Sequence, residues 1–453
     1  MGDGRLGPRL AVLAGSTPVL VAASLAGSGL AFLNKAACWS GAWNSNIGQF
    51  QAHCYTDIYP LYFGEGLAAG KVPYYGHPVE YPVLIGGAMQ AAAWVAHHAA
   101  NPYTAGREFF DVTVVLLSVF ALAATLATAY LAGPSRRWTA LGVALAPGLV
   151  LGSFINWDLM AMALATVGLA AWAGRRTVLA GILLGLAVAT KFYPVLFFWP
   201  LLLLCVRARR LRAFGVTVAS AAVTWLVVNL PVALTAPGWS RFYQLNETRG
   251  ADWGSVWYLF EAEHWPVLGT LSVNALNTLS AALIAVGCLL MALLALAAPR
   301  RPRVPQLCFL VLAVFLLFNK VWSPQYVIWL APLVVLARPR LWSFALWQAA
   351  EVAYFFAIWA YLVTIFLGNA PAHVVASDGG ITAGTYFIAL VARFLTVVLL
   401  CVLVVRDTLR PDSDVVRSQG EDDPAGGVLN GAPDWLTLAP RALLTPRTEE
   451  ANP

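Results

Sequence analysis

Residues 175–207 read RRTVLAGILLGLAVATKFYPVLFFWPLLLLCVR, and this stretch decides the fold class. It has arginines at both ends, two apolar arms and one polar knot at 191–194 between them. Each arm of about 12–14 residues reaches about 20 Å as a helix, whereas the hydrocarbon core of a bilayer is about 30 Å thick. The pattern predicts a membrane hairpin with both ends at the cytoplasmic face and Lys191 recessed in a cavity below the outer headgroups. The alternative is that Lys191 snorkels to the interface.

The composition of the whole chain agrees with a membrane location. The 453 residues are 60% hydrophobic and 11% charged, whereas soluble domains are about 25% charged. The 37 Gly, 27 Pro and 18 Trp suit interrupted membrane helices with aromatic side chains at the interfaces. A soluble enzyme of this composition could not cover its surface, so we predict an all-α polytopic membrane protein.

The positions of Lys and Arg matter more than the net charge of +6. Twenty of the 28 lie in short clusters between apolar runs or near the ends, and we assign these clusters to the cytoplasmic face. This rule predicts twelve crossings with both termini inside. The expected spans lie near 11–33, 109–132, 138–154, 157–174, 178–190, 193–206, 214–236, 270–297, 304–318, 323–337, 341–367 and 382–405. The remaining apolar stretch, 82–100, is predicted to lie on or dip into the outer interface.

These assignments divide the chain into two parts. Residues 1–405 are predicted to form one transmembrane domain, in which 34–108 make a structured first outer loop with interfacial helices. The segment 406–453 is rich in Pro, Gly, Asp and Glu, and this composition predicts a disordered cytoplasmic tail.

Polar residues concentrate on the predicted outer side. Two further hairpins carry knots at 156–158 and 319–324, and the outer segments 34–81 and 237–269 hold acids, bases and many aromatic residues. A cavity there with several cations suits a phosphate whose lipid tail stays in the bilayer, and aromatic and carboxylate groups suit a sugar. No nucleotide is available outside the membrane, and no P-loop or dinucleotide fingerprint is present, so the pattern favours a lipid-linked sugar donor. No nucleic-acid partner is expected.

Five short motifs stand out in the first loop and in two of the later knots. They are YTDIYPLY at 55–62, GKVPY at 70–74, EYPVL at 80–84, ATKFYP at 189–194 and KVWSPQY at 320–326. Together they resemble the polyprenol-phosphate-mannose-dependent mannosyltransferases of actinobacteria, which form glycosyltransferase family 87 and have the GT-C fold. The knot at 156–158 looks like a further hallmark of that family. The resemblance covers the chain to about residue 405 and not the tail.

The resemblance implies a fold and an activity. It implies a GT-C-like bundle of about 12 transmembrane helices in a bacterial plasma membrane, with the active site on the outer face. It also implies an inverting transfer from β-linked polyprenyl-phosphate mannose to an α-mannoside, such as a mannosylated lipid or another envelope glycan. Asp57 would be the general base, and Lys191 and Lys320 would contact the phosphate. For Asp57 the alternative is helix capping, and for Lys320 it is a snorkelling anchor.

The other candidate residues carry open alternatives. Arg249 is a candidate donor contact, and Glu247 could shape the acceptor or phosphate site, but the two could equally form an ordinary surface ion pair. Asp158 could orient a sugar hydroxyl or cap its helix. The predicted acceptor or sugar contacts are Asp158, Glu247, His264, Tyr62 and Glu80. His264 is the weakest of them, because an outer-loop histidine is more often a surface residue.

No cofactor is expected. Many GT-C folds place a second acid beside the catalytic aspartate and bind a divalent metal there, whereas Asp57 is followed by Ile-Tyr. A metal is therefore less expected, although Glu80, Asp158 or Glu247 could still approach in space.

Two structural pairs are predicted. Cys38 and Cys54 both lie in the first outer loop, where an oxidising compartment favours a disulfide that would hold Asp57 in place. Glu351 and Arg393 lie near mid-depth of the last two spans and are expected to meet, because each would be costly there without a partner.

A lipid flippase or secondary transporter is the alternative function. Such proteins also have many spans and intramembrane charges, and they often show inverted repeats with broken helices at the midplane. The sequence shows no such internal symmetry, and its polar groups cluster on one face.

Overall fold

The computed structural model describes residues 8–45, 47–99 and 101–438, and within these ranges the chain is helical without a strand. Short 3-10 turns join many of the helices. The α-helices are α1 (Pro8–Ala14), α2 (Thr17–Trp39), α3 (Gly48–Gln51), α4 (Ile58–Gly64), α5 (Val83–Ala96), α6 (Pro102–Leu131), α7 (Leu141–Ala144), α8 (Pro147–Gly152), α9 (Asp158–Ala173), α10 (Thr177–Thr190), α11 (Phe198–Arg207), α12 (Leu211–Thr235), α13 (Arg241–Thr248), α14 (Val256–Ala262), α15 (Val273–Ala297), α16 (Val304–Phe318), α17 (Val327–Ala337), α18 (Leu341–Leu367), α19 (Ala372–Ser377) and α20 (Ala383–Leu409).

Six helices in the described residues are long and apolar enough to cross a membrane. They are α2, α6, α12, α15, α18 and α20. Six shorter apolar segments are α5, α9, α10, residues 193–207, α16 and residues 324–337. The chain is therefore a polytopic helical membrane protein. The predicted total of twelve crossings stays a prediction, because each of the shorter segments is too short to span about 30 Å of hydrocarbon.

The predicted span at 138–154 is wrong as a single helix. The structure breaks it into a 3-10 turn at Pro134–Ala140, then α7 and α8. Proline disfavours a helical conformation for the residue before it, and Ala146, which precedes Pro147, has an extended ψ of 123°. The freed N–H of Gly148 donates to Gln348 Oε1 of α18 at 2.8 Å. The segment therefore packs inside the bundle as short helices.

Helix α10 is held closely between α9 and α12. Gly181 and Gly185 are one helical turn apart, and a Cβ atom at either would collide with the backbone of α12. Small residues at this spacing let membrane helices approach closely. The tight packing fixes the end of α10 beside the start of α9, where two of the predicted polar knots meet.

The other end of the bundle, which we call the arginine face, collects the basic clusters. Four buried guanidinium groups there pair with carboxylates of the C-terminal segment. The pairs are Arg303 with Asp414 at 2.7 Å, Arg207 with Asp434 at 2.6 Å, Arg136 with Glu421 at 2.5 Å, and Arg338 with Asp407. Charged groups are tolerated in such surroundings only when paired, so the tail completes this face.

The prediction of a disordered tail is therefore wrong for 406–438. Helix α20 continues to Leu409, and three 3-10 turns follow between 411 and 429. Composition alone suggested disorder because it does not show that the tail carboxylates meet buried arginines. Residues 439–453, which belong to the same prediction, lie outside the described residues.

Candidate active site

A cavity of about 690 Å³ opens at the end of the bundle opposite the arginine face. Its lining comes from the first loop, from all three predicted polar knots, from the segment after α12 and from α18. The lining includes Phe50, Tyr55, Asp57, Glu80, Tyr81, Asn156, Lys191, Arg249, Asp252, Ser323, Tyr326, Ile358, Trp359, Leu362 and Phe366. The sequence prediction that the knots converge on one hollow is confirmed.

Asp57 stands at the start of α4 and turns its carboxylate into the cavity. Oδ1 accepts a hydrogen bond from the Tyr55 hydroxyl at 2.5 Å, and Oδ2 accepts one from the Tyr81 hydroxyl at 3.1 Å. Asn156 Nδ2 donates to Oδ2 at 3.5 Å. The side chain makes no helix-capping bond, and Thr56 Oγ1 accepts from the N–H of Ile58 instead. The capping alternative for Asp57 is therefore wrong.

The surroundings of Asp57 favour a carboxylate that can take up a proton. Burial raises its pKa above the ordinary value, while the hydrogen bonds from the two tyrosines and the charge of Lys191 oppose that rise. A carboxylate has about four acceptor positions, and three are used by these donors. One position is left for a hydroxyl in the cavity.

Lys191 follows α10 and lies recessed in the cavity wall. It is 9% exposed, and its Nζ atom forms an ion pair with Asp158 Oδ1 at 2.7 Å. The Tyr81 and Tyr326 rings lie 5.1 and 5.7 Å from Nζ, which adds cation–π attraction. An ammonium group has three donors, so two remain for a ligand oxygen. The predicted recess is confirmed, and the snorkelling alternative is wrong.

Asp158 lies behind Lys191. It is the first residue of α9, is fully buried and does not line the cavity. Its backbone N–H donates a hydrogen bond to Asn156 Oδ1 at 3.0 Å. In this position Asp158 fixes the direction of the Lys191 ammonium and does not reach a sugar in the cavity.

Lys320 is also one layer away from the cavity. Its Nζ atom donates to the backbone carbonyls of Arg249 at 2.7 Å and of Glu247 at 3.2 Å. Its own carbonyl accepts from the N–H of Asp252 at 2.8 Å. The predicted direct phosphate contact therefore has no support in this geometry. Lys320 shapes the segment that brings Arg249 and Asp252 into the cavity wall.

Arg249 and Asp252 form the outer part of this wall. The guanidinium Nη2 lies 3.4 Å from Asp252 Oδ1, and Ser323 Oγ donates to Asp252 Oδ2 at 3.4 Å. The Arg249 side chain is 36% exposed, so it is free to turn toward a ligand. Burial raises the pKa of Asp252, whereas Arg249 opposes the rise.

The remaining predicted contacts divide into one inside the cavity and three outside it. Glu80 lines the cavity, and burial together with Asp57 raises its pKa. Glu247 and His264 are exposed and lie outside the lining. Tyr62 is 1% exposed and packs on Phe109 in the core, with ring centroids 4.9 Å apart. The structure therefore gives no sugar contact to these three residues.

Both predicted structural pairs are confirmed. Cys38 and Cys54 form a disulfide, and Cys54 lies three residues before Asp57. Glu351 Oε2 accepts from Arg393 Nε at 2.9 Å. The other Arg393 nitrogens donate to the carbonyls of Trp322 and Ser323 at 2.9 and 3.1 Å. The mid-membrane pair thus holds the loop that lines the cavity.

Sequence reasoning did not assign several residues that shape the site. Tyr55 and Tyr81 lie in the quoted motifs, two residues before Asp57 and one after Glu80, but no role was given to them. Lys35 of α2 is fully buried and donates to the carbonyl of Tyr55 at 2.8 Å. The available signal was a lysine just past the end of the predicted span 11–33, since a charged residue at such a position needs a partner if it is buried.

Two tyrosines and an asparagine donate hydrogen bonds to the Asp57 carboxylate. In the part of the chain that the structure describes, no group of three or more His, Cys, Asp or Glu residues is placed to hold a metal ion. The hydrogen-bond donors around the Asp57 carboxylate make it a candidate proton acceptor.

Comparison with known proteins identifies the family. The model of glycosyltransferase family 87 matches residues 90–324, slightly more than half of the chain. No curated protein matches. The match includes Asn156, Lys191 and Ser323 of the cavity. It begins within α5, so Asp57 and Glu80 lie before the matched residues. The matched residues include the three polar knots that line the cavity, and the fold is that of a polytopic helical membrane protein. Because the family model covers more than half of the chain, the chain belongs to glycosyltransferase family 87 and is a membrane glycosyltransferase.

Proposed function

We propose that this enzyme transfers a mannosyl residue from polyprenyl-phosphate mannose to a hydroxyl of a glycolipid or envelope glycan. In this proposal the transfer takes place on the outer face of a bacterial plasma membrane and inverts the anomeric centre, with Asp57 as the general base. One observation carries the proposal. A carboxylate with a free acceptor position shares a cavity with two cations, Lys191 and Arg249, that have donors to spare.

The charged side of the cavity suits a lipid phosphate. Lys191 presents two free N–H donors from a buried position, and Arg249 offers a forked donor from the cavity rim. Charge-assisted hydrogen bonds of this kind are about twice as strong as neutral ones. They would bind the phosphate of the donor and stabilise the additional charge that it carries as a leaving group.

The reaction is a single displacement. The acceptor oxygen bonds to the anomeric carbon while its proton passes to Asp57, and the bond between that carbon and the phosphate oxygen breaks. The electron pair of that bond leaves with polyprenyl phosphate, beside Lys191 and Arg249. Attack from the side opposite the phosphate converts a β-linked donor into an α-linked product.

Two independent features support an outer location for the cavity. The Cys38–Cys54 disulfide lies at the cavity end, and disulfides persist in oxidising compartments outside the cytoplasm. The arginine clusters lie at the opposite end, as the positive-inside rule requires of a cytoplasmic face.

The test is Asp57→Asn in purified protein supplied with polyprenyl-phosphate mannose and mannoside acceptors. Loss of the general base should lower turnover by about 10²–10⁴-fold, with donor binding retained. Asp412→Asn, an exposed carboxylate on the arginine face, is the matched control and should keep full activity. Unchanged turnover in Asp57→Asn would eliminate Asp57 as the base. A wild-type protein that transfers other lipid-linked sugars but not mannose would correct the donor.

A further inference from the structure

The rim of the arginine face carries four exposed arginines that the fold does not use. The buried guanidinium groups of this face pair with carboxylates of the tail, whereas none of these four forms an ion pair with a residue that the structure describes. We call them the rim arginines, and they are Arg209, Arg210, Arg212 and Arg300. Their charge is not compensated within the described chain, so an anionic partner can complete it.

The end of the described tail, residues 434–438, lies beside these arginines and exposes apolar side chains. We call it the rim segment. Its exposed apolar residues, at 62%, 38% and 60% exposure, are Trp435, Leu436 and Leu438. The Trp435 ring lies 5.6 Å from the Arg209 guanidinium, and Asp434 lines one hollow of about 530 Å³ together with Arg300. Arginines from two different loops therefore lie next to one exposed apolar segment.

Backbone hydrogen bonds hold the rim segment across the ends of two helices. The N–H of Trp435 donates to the carbonyl of Arg207, the last residue of α11, at 2.7 Å. The N–H of Leu438 donates to the carbonyl of Leu296, in the last turn of α15, at 2.8 Å. The backbone of the segment is fixed at both ends, so the exposure of its apolar side chains is a property of the fold.

The helix lengths place the rim at the level of the lipid headgroups. Helices α12 and α15 have 25 residues each, and at 1.5 Å per residue each reaches about 38 Å, whereas the hydrocarbon core is about 30 Å thick. Of the six long apolar helices in the described chain, these two are the least covered by the rest of the protein. Lipid chains therefore pack along α12 and α15, and the headgroups of those lipids lie where α12 begins and α15 ends, beside the rim arginines.

We propose that the rim arginines and the rim segment form a binding site for an anionic phospholipid of the leaflet at the arginine face. The guanidinium groups donate charge-assisted hydrogen bonds to the lipid phosphate, and Trp435 lies at the depth that tryptophan prefers in a bilayer. The acyl chains pack along α12 and α15. The site lies at the end of the bundle opposite the cavity, so it is independent of the proposed transfer reaction.

The test is native mass spectrometry of the purified full-length protein in detergent, titrated with one of two lipids that have identical acyl chains. The probes are anionic dioleoyl phosphatidylglycerol and zwitterionic dioleoyl phosphatidylcholine, and we expect the first to bind with the lower Kd. One basic side chain near an anionic lipid surface contributes a factor of about 5. The double variant Arg209→Gln with Arg210→Gln should therefore raise the Kd of phosphatidylglycerol by about 10–30-fold and leave that of phosphatidylcholine unchanged.

Matched variants separate a built site from general charge attraction. Arg9→Gln with Arg410→Gln removes two other exposed arginines from the same end of the bundle and should leave the Kd of phosphatidylglycerol unchanged. Trp435→Ala removes the ring that lies beside Arg209 and should raise this Kd by about 2–5-fold, the value of an exposed cation–π contact. Trp94→Ala, at a tryptophan of α5 that is 68% exposed, should have no effect.

Photolabelling distinguishes this site from the cavity, whose cations also suit a lipid phosphate. Phosphatidylglycerol with a diazirine in its headgroup should label peptides that contain residues 209–212 or 434–438. Labelling confined to peptides of the cavity lining, equal affinities for the two lipids, or the same rise in Kd in both double arginine variants would overturn the proposal. A protein that binds phosphatidylglycerol at the rim but transfers no lipid-linked sugar would overturn the proposed reaction and leave the lipid site standing.

Discussion

The two ends of the bundle bury charge in different ways. At the arginine face, Arg303 uses Nε and Nη2 on Asp414 and gives its other bonds to the carbonyls of residues 336 and 337. At the cavity end, Lys191 has one carboxylate partner, and the rest of its donor capacity faces open space. The first arrangement is complete within the protein and stabilises the fold. The second is incomplete, and a ligand can complete it.

The largest expected effect is on stability at the arginine face. Arg303→Met leaves the buried Asp414 carboxylate without its partner and should lower the free energy of unfolding by about 3–5 kcal/mol. Urea or thermal unfolding of the purified protein in detergent measures this loss. Arg406→Met is the control, because that side chain is 45% exposed and its pair with Asp407 is worth at most about 1 kcal/mol. Equal losses in the two variants would contradict the comparison.

A smaller free-energy effect, seen in turnover, is expected at the cavity end. Lys191→Gln removes an ammonium group from the phosphate position and should lower turnover by about 10²–10³-fold. Because the variant also leaves Asp158 unpaired, the double variant Lys191→Gln with Asp158→Asn is measured beside it. The double variant should recover stability and stay inactive. Lys71→Gln changes an exposed lysine of the first loop and should be fully active. Recovery of turnover in the double variant would show that Lys191 is structural.

The smallest expected effect is a shift in pH dependence. The ionised form of Asp57 is the active base, so turnover should decline as the pH falls through its pKa. Tyr55 donates to that ionised form, and its removal in Tyr55→Phe should raise the pKa further. The acid limb of the pH–rate profile should move to higher pH by about one unit, the value of one charge-assisted hydrogen bond. Tyr75→Phe, which removes an exposed hydroxyl bonded to Thr235, should leave the profile in place. A shift to lower pH in Tyr55→Phe would be inconsistent with this role.

The sequence was sufficient to predict the six long apolar helices and the recess of Lys191. Helix length is a strict constraint in a bilayer, and arms of this length cannot reach both surfaces. The same reasoning placed Asp57 and Lys191 in one hollow, because the charge clusters assign the loops between spans to opposite ends. The pairing of Glu351 with Arg393 followed from the cost of an isolated charge among apolar helices.

The sequence was not sufficient to separate contact residues from their supports. Lys320 and Asp158 lie in the same motifs as the cavity residues, but one bonds to backbone carbonyls and the other lies behind Lys191. The spacing of residues in the sequence does not show which side chains form hydrogen bonds to backbone carbonyls. Tyr62 follows Asp57 by five residues, which is about 140° around a helix, and it faces the core.

The paired arginines of the arginine face also set the order in which this enzyme can be completed during synthesis. Asp434 follows Arg207 by 227 residues, and at about 5–20 residues per second the ribosome needs about 10–45 s to deliver the carboxylate after the guanidinium. During that interval Arg207 has no tail partner and must stay hydrated. Final closure of the helices around it therefore waits for the last described part of the chain to leave the ribosome.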